Sequence, residues 1–299
     1  MLNIVSKSKY SYFFSGILVA FSVAALFFWG LKFGIDFNGG TLLEVEFSQG
    51  LPATEELEGA LGELNLQSLT FQPTQSNTML IRYAPENDLV NGEAGAKILE
   101  KYPEASILRV DYINSAISHE FKRNSLLAIF WAVVAIMTYI AIVFRKVSIP
   151  VASWKYGLGA VIALVHDILI TIGVFSVLGH FWGVEVGIPF VAALLTILGF
   201  SVHDTIVVYD RTRENLQRSS SKEKFPDVVN RSLNETLVRS INTSLTVVIT
   251  LLAIFFFGGD SVKYFSLALL IGVVFGTYSS IFVASALLVT SYNLQSKRS

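Results

Sequence analysis

The chain contains no cysteine, which excludes disulfides, thiolate catalysis and cysteine-ligated metal. Charge is scarce: 15% of its 299 residues are Asp, Glu, Lys or Arg, against about 25% in a soluble globular domain. The signs almost cancel, leaving a net charge of −1, so no basic surface marks a nucleic-acid partner. Residues 11–30 carry no charge and no A-x-A site follows them. They are expected to remain as a membrane anchor rather than leave as a signal peptide. What the chain has in excess is apolar: 53% of its residues are hydrophobic and 23 are Phe, a composition suited to lipid-facing surface.

Six segments reach the roughly 20 residues needed to cross a bilayer: about 11–30, 124–144, 156–178, 187–209, 240–259 and 264–290. Lys and Arg in the short connections set the orientation. With the N-terminus inside, the inner pieces hold Lys7, Lys9, Arg145, Lys146, Lys155, Arg211, Arg213, Arg218, Lys222, Lys224, Arg231, Lys297 and Arg298. The outer short loops hold only Lys263. Both termini are therefore expected on the cytoplasmic side of the membrane.

Residues 31–123 have ordinary soluble composition and fall outside by this topology. Strands are predicted at 41–47, 68–74, 78–84 and 105–113, and helices at 53–64 and 92–102. TLLEVEF and SILRVDY alternate partly, as half-buried strands do. The order β-α-β-β-α-β is the ferredoxin-like pattern. Residues 124–299 then form a five-helix bundle, interrupted by a polar loop at 211–238. Within that loop DVVNRSLNETLVRS reads as an amphipathic helix, either a solvated turn or a docking surface.

Two acids interrupt the apolar runs: Asp167 in VIALVHDILITIG and Asp204 in LGFSVHDTIVVYDR. A carboxylate at membrane depth costs about 2.5–3.5 kcal/mol on insertion scales and is by default a functional-site hypothesis. Asp204 lies about four residues inside the inner end of its span, roughly 6 Å at 1.5 Å per residue, too deep for a short side chain to snorkel. It must be protonated, paired or hydrated. Arg239, at the entry of the next span, is the cation expected at matching depth, and it stays charged. Asn242, Thr243, Ser244 and Thr246 follow as polar lining. Two readings stand: a proton relay cycling between a protonated and an Arg239-paired Asp204, or a static pair joining two helices, worth ~0.6–2 kcal/mol.

Asp167 sits near the middle of its span, serving either in a relay or in hydrogen bonding within the bundle. His203 is expected to donate a hydrogen bond into the bundle. Successive helical residues point about 100° apart, so a His and the Asp after it are not expected to face one narrow site. The dense i,i+4 spacing of a metal motif is absent, and no metal or cofactor is expected. GIDFNGG, with Gly34, Asp36, Gly39 and Gly40, reads as a structural turn entering the first strand. It is not a G-x-G-x-x-G loop, so no nucleotide partner is expected. Gly272 and Gly276 form a small-xxx-small pair for helix packing.

With these segments in order, the chain resembles the SecF family, the smaller membrane subunit of the bacterial SecDF accessory translocase, in the resistance-nodulation-division superfamily. GIDFNGG, VHDILI, LGFSVHDTIVVYDRTREN, RSINTS and FFFGGD carry the resemblance across nearly the whole chain. The resemblance implies an α-helical membrane protein with six transmembrane helices and an extracytoplasmic α+β ferredoxin-like domain. It implies a SecD partner, association with the SecYEG channel, and use of the proton gradient to help exported polypeptide through late translocation. Asp204 and Arg239 match the positions linked in that family to proton passage, and the relay's third charged partner lies in SecD. The rival readings are a small-solute proton-coupled transporter of the same superfamily, a passive membrane scaffold and a membrane hydrolase. The chain's single outer domain and lack of a nucleophile motif count against the first and last, and no enzyme activity is expected.

Overall fold

The computed structural model describes residues 2–64, 66–74, 77–84, 90–144, 151–219 and 223–296. Arg145, Lys146, Lys222, Lys297 and Arg298, counted above for orientation, lie outside the described residues. The chain opens with helix α1 (Ser8–Trp29), which ends where Gly30 takes a positive φ. A single turn α2 (Ile35–Asn38), strand β1 (Gly40–Phe47), α3 (Thr54–Leu61), β2 (Gln67–Pro73), β3 (Thr78–Ala84), α4 (Val90–Lys101) and β4 (Ala105–Ile113) follow. Then come α5 (Ser115–Val143), α6 (Ser153–Trp182), α7 (Ile188–Arg218), α8 (Phe225–Phe257), α9 (Asp260–Ser279) and α10 (Ser285–Ser296). A π-helical turn, Ser280–Ala284, joins the last two.

Among the described residues, six helices are long and apolar enough to cross a membrane, the sixth running through the π-turn. Their ends follow local chemistry. Gly183 closes α6 in the left-handed conformation, its N–H reaching Leu178 O, as a C-terminal glycine does. Proline stands in the first turn of both α7 and α8, where its missing N–H costs nothing. The polar stretch expected as loop 211–238 is mostly helix: α7 runs to Arg218 and α8 starts at Phe225. Arg, Glu, Leu and Gln, good helix formers, continue α7 there, whereas the α8 extension is held by burying Phe225, Val229 and Leu233 in the core. Arg211 pairs with Glu235 at 2.6 Å, and Asn215 donates to Ser232 at 2.9 Å, tying the two extensions together.

Contacts divide the chain into two compact units, residues 33–124 and residues 1–32 with 125–299. In the first, four strands form one sheet in the order β2-β3-β1-β4, with every neighbouring pair antiparallel. This is the split arrangement of the ferredoxin-like pattern. Leu43, Val45, Phe47 and Ile81 from the sheet bury themselves against Leu57, Leu61 and Ile98 from α3 and α4. The fold class is the one read from the sequence: six apolar helices plus a small α+β unit.

The second unit is a helix bundle whose tightest contacts are made where residues are small. A Cβ at Gly173 would fall 2.4 Å from Ser22 Cβ, and one at Gly272 would fall 2.2 Å from Ile197 Cγ1. These glycines let α6 close on α1 and α9 close on α7, as small residues do between membrane helices.

Candidate functional site

Asp204 lies on the buried stripe of α7 that runs through Ser201, Thr205, Val208 and Thr212. It is 2% exposed. Thr277 of α9 donates to its Oδ2 at 3.3 Å and Ser244 of α8 at 3.5 Å, and the two hydroxyls also bond each other. Each hydroxyl has a second acceptor on its own helix: Val273 O lies 2.9 Å from Thr277 Oγ1, and Ser240 O lies 2.8 Å from Ser244 Oγ. A hydroxyl carries one proton and two lone pairs. The pair can therefore donate to an ionised Asp204, or turn to the backbone carbonyls and accept a proton from a neutral one. The two protonation states therefore draw on different hydrogen bonds among α7, α8 and α9.

Arg239 stands apart from this carboxyl. It is exposed on α8 and, among the described residues, makes no ion pair or hydrogen bond. It precedes Ser244 by five residues, about 7.5 Å along the helix and about 140° around it. The stripe that faces inward is Ser232, Thr236, Ser240 and Ser244, all buried at four-residue spacing. Asn242 and Thr243 are exposed, and Thr246 turns its hydroxyl back to Thr243 O at 2.7 Å. The expected depth match with Arg239 is thus offset by more than a turn. Nor does α7 end near Asp204; it continues to Arg218, about 21 Å further.

Asp167 is held more completely. It has no exposed surface. Ser201 of α7 donates to its Oδ2 at 2.6 Å and Ser279 of α9 at 2.7 Å, while His166 Nδ1 lies 2.9 Å from Oδ1. This corrects the expectation that a His and the following Asp face different ways. Because α6 packs against α1, α7 and α9, its buried arc is wide enough for both residues. The expectation does hold at the second pair, where Asp204 is buried but His203 is exposed. His203 therefore donates nothing to the bundle interior, contrary to the sequence reading.

The GIDFNGG segment sits in the other unit. Gly34 precedes α2, Asp36 lies in its only turn, and Asn38 donates back to Phe33 O at 2.9 Å. Gly39 and Gly40 have positive φ, and a Cβ on Gly40 would meet Tyr83 O at 2.8 Å. The segment is a turn with one helical revolution inside it, leading directly into β1.

Ser201, Thr277 and Ser279 were not singled out from the sequence, yet they supply three of the donors on the two acids. Ser201 was legible in principle, one turn before Asp204 on the same helix face. The Ser232-Thr236-Ser240-Ser244 stripe was legible as a four-residue period. Nothing local marked Thr277 or Ser279, because their partners are 73 and 112 residues away in sequence.

Residues 94–294 match the family described as protein export membrane protein SecD/SecF, C-terminal, and residues 24–50 match the SecD/SecF GG motif. Protein translocase subunit SecF of Thermobaculum terrenum is 42% identical over 98% of this chain and 95% of its own length. The chain belongs to the SecF protein translocase subunit family. SecF of Sebaldella termitidis is 36% identical over 94% of this chain and 89% of its own. The crystal structure of SecDF, a translocon-associated membrane protein from Thermus thermophilus, superposes with a TM-score of 0.83 at 33% identity. That match covers 98% of this chain but 39% of the longer SecDF chain. The GG motif of the family falls on the α2–β1 turn, and the C-terminal family region contains both buried acids.

Proposed function

We propose that this SecF family chain couples the proton-motive force to late protein export, beside a SecD partner at the SecYEG channel. The observation that carries this reading is the environment of Asp204. An almost fully buried carboxyl in a membrane helix contacts two hydroxyls from two other helices, and each hydroxyl has a second acceptor on its own backbone. Such a group can take up and release a proton while α7, α8 and α9 stay assembled. Moving one charge through 100 mV is worth about 2.3 kcal/mol, enough to shift a two-state packing equilibrium more than tenfold. Arg239 faces outward, where a neighbouring subunit can supply the remaining charged group and where a shift of α8 can bring Arg239 toward Asp204.

In this reading both termini are cytoplasmic in a bacterial inner membrane, and the α+β unit of residues 33–124 meets exported polypeptide on the opposite side. No cofactor or bond-making chemistry is involved. The test is Asp204→Asn in inverted vesicles carrying the export machinery. The expected result is normal ATP-driven initiation with loss of the proton-dependent late stage. An unchanged late stage overturns the relay.

A further inference from the structure

The bundle buries a second ionisable centre that the relay reading does not use. His166 is 6% exposed and Asp167 has no exposed surface. His166 Nδ1 and Asp167 Oδ1 are 2.9 Å apart, and Oδ2 accepts from Ser201 and Ser279. His166 Nε2 is buried without a partner among the described residues. The titratable groups on surrounding elements include Asp204 on α7, Tyr278 on α9, with its ring 6.2 Å from that of His166, and Tyr12 on α1. Tyr156 on α6 and Tyr209 on α7 pack against each other and Phe144. Among the described residues, no lysine or arginine contacts the pair.

A buried unpaired charge is costly, so a carboxyl and an imidazole in this setting are favoured in their neutral sum. That sum contains one movable proton. It rests on Asp167 Oδ1 with a neutral His166, or on His166 Nδ1 beside an ionised Asp167. Release of this proton to solvent water leaves Asp167 ionised and His166 neutral. Ser201 and Ser279 then solvate the remaining charge, and rebinding of a proton restores the starting pair.

This centre is tied mechanically to Asp204. Helix α9 places Thr277 on Asp204 and Ser279 on Asp167. Helix α7 places Ser201 on Asp167 and carries Asp204 three residues later. Between them a Cβ at Gly276 would be 3.0 Å from Ser201 Cβ, so the two helices pack closely at this level. The π-turn starts directly after Ser279, and π-turns within helices mark functional sites. We propose that His166 and Asp167 form a second proton-holding site of this subunit, loaded and emptied in step with Asp204 because α9 closes on both carboxyls.

This inference rests on the Asp204 relay for its purpose, but its test separates the two. Infrared difference titration of the full chain in lipid vesicles is expected to show two buried carboxyl bands. Asp167→Asn removes one and moves the midpoint of the other by about one pH unit, the size of an ordinary coupling between sites. Ser279→Ala, which keeps both acids and both helices, moves the Asp167 midpoint while preserving its band, a readout that a purely structural serine would not change. A missing or non-titrating Asp167 band overturns the proposal, as does an Asp204 midpoint unmoved in Asp167→Asn. If Asp204→Asn abolishes proton-dependent late export while these infrared results fail, only the second site falls. If Asp204→Asn exports normally, the relay falls, and the two coupled bands still decide whether the second site exists.

Discussion

Thr277 Oγ1 lies 3.3 Å from the Asp204 carboxylate and 2.9 Å from Val273 O, and its single proton can serve only one of them at a time. That choice distinguishes a group poised between two protonation states from a fixed structural contact. Thr277→Val keeps the shape and removes the choice. The pH dependence of late export in inverted vesicles is expected to shift, with a stability loss of about 0.6–2 kcal/mol, the range for one interhelical polar contact. Thermal unfolding in detergent measures the second quantity independently of the first.

Arg239 provides the complementary case. It is exposed and makes no described contact, so it does not clip α8 to α7 in this conformation. Arg239→Leu should leave the melting behaviour of the isolated chain within about 0.5 kcal/mol of the parent, as surface substitutions usually do. Late export should nevertheless fall. A large loss of stability in the isolated chain would instead support the static pair.

The elements that repeat over many residues were readable in advance. Each long helix followed from an apolar run, and two of the four strands, TLLEVEF and SILRVDY, from partial alternation. Helix ends were less readable. The helix in DVVNRSLNETLVRS is legible and α8 contains it, but residues 211–218 look like a polar loop in composition, and the Arg211–Glu235 and Asn215–Ser232 contacts extend α7 through them. At the buried acids the sequence marked the carboxyls but not their partners. Asp167 and Asp204 are conspicuous because charge is rare at that depth. Ser279 and Thr277 are ordinary in a membrane helix until the fold brings α9 against them. The π-turn at Ser280–Ala284 has no Pro or Gly within it, so no local punctuation announced it.

The N-terminal residues are pinned by two asparagines one turn apart on α8. Asn230 Oδ1 accepts from the N–H groups of Ile4 at 2.9 Å and Val5 at 3.2 Å, and its Nδ2 donates to Leu2 O at 3.0 Å. Asn234 adds a second pair of bonds to Leu2. Each net hydrogen bond contributes about 1 kcal/mol. Asn230→Ala should therefore speed hydrogen exchange at Ile4 and Val5 several-fold while leaving the exchange of α6 amides unchanged. Equal rates in the variant and the parent would mean that this segment is held by its side chains instead.

In the α+β unit Lys97 hydrogen-bonds Glu63, and this contact holds the Glu63 carboxyl below its ordinary value. A depressed folded-state value contributes stability that is present above the unfolded carboxylate range, about 4.3, and is lost as pH falls through the folded value. Lys97→Met should return Glu63 toward its ordinary value. Carboxyl carbon chemical shifts followed from neutral to acidic pH measure the change. Because the pair lies at the surface and is screened by salt, the neutral-pH melting temperature should fall only slightly.

The close approach of α9 to α7 gives the sharpest packing test. At Gly272 an added Cβ would sit 2.2 Å from Ile197 Cγ1 and 2.8 Å from its Cγ2, and Ile197 is itself buried, so it has nowhere to turn. Gly272→Ala should cost about 1–3 kcal/mol, the usual penalty for overpacking. Gly276→Ala meets Ser201 Cβ at 3.0 Å, a contact that can yield by a few tenths of an ångström, so the stability loss should be smaller. Ser201 would be displaced from Asp167 as it yields, and the proton-linked signal of Asp167 should change more than the melting temperature does. Gly199 supplies the control, because a Cβ there meets nothing within 4 Å. Gly199→Ala should leave stability unchanged or raise it by up to about 1 kcal/mol through helix propensity. Thermal unfolding of the three variants in one detergent is expected to rank them in that order, Gly272→Ala lowest; equal melting of Gly272→Ala and Gly199→Ala would mean that α9 does not close on α7 at this level.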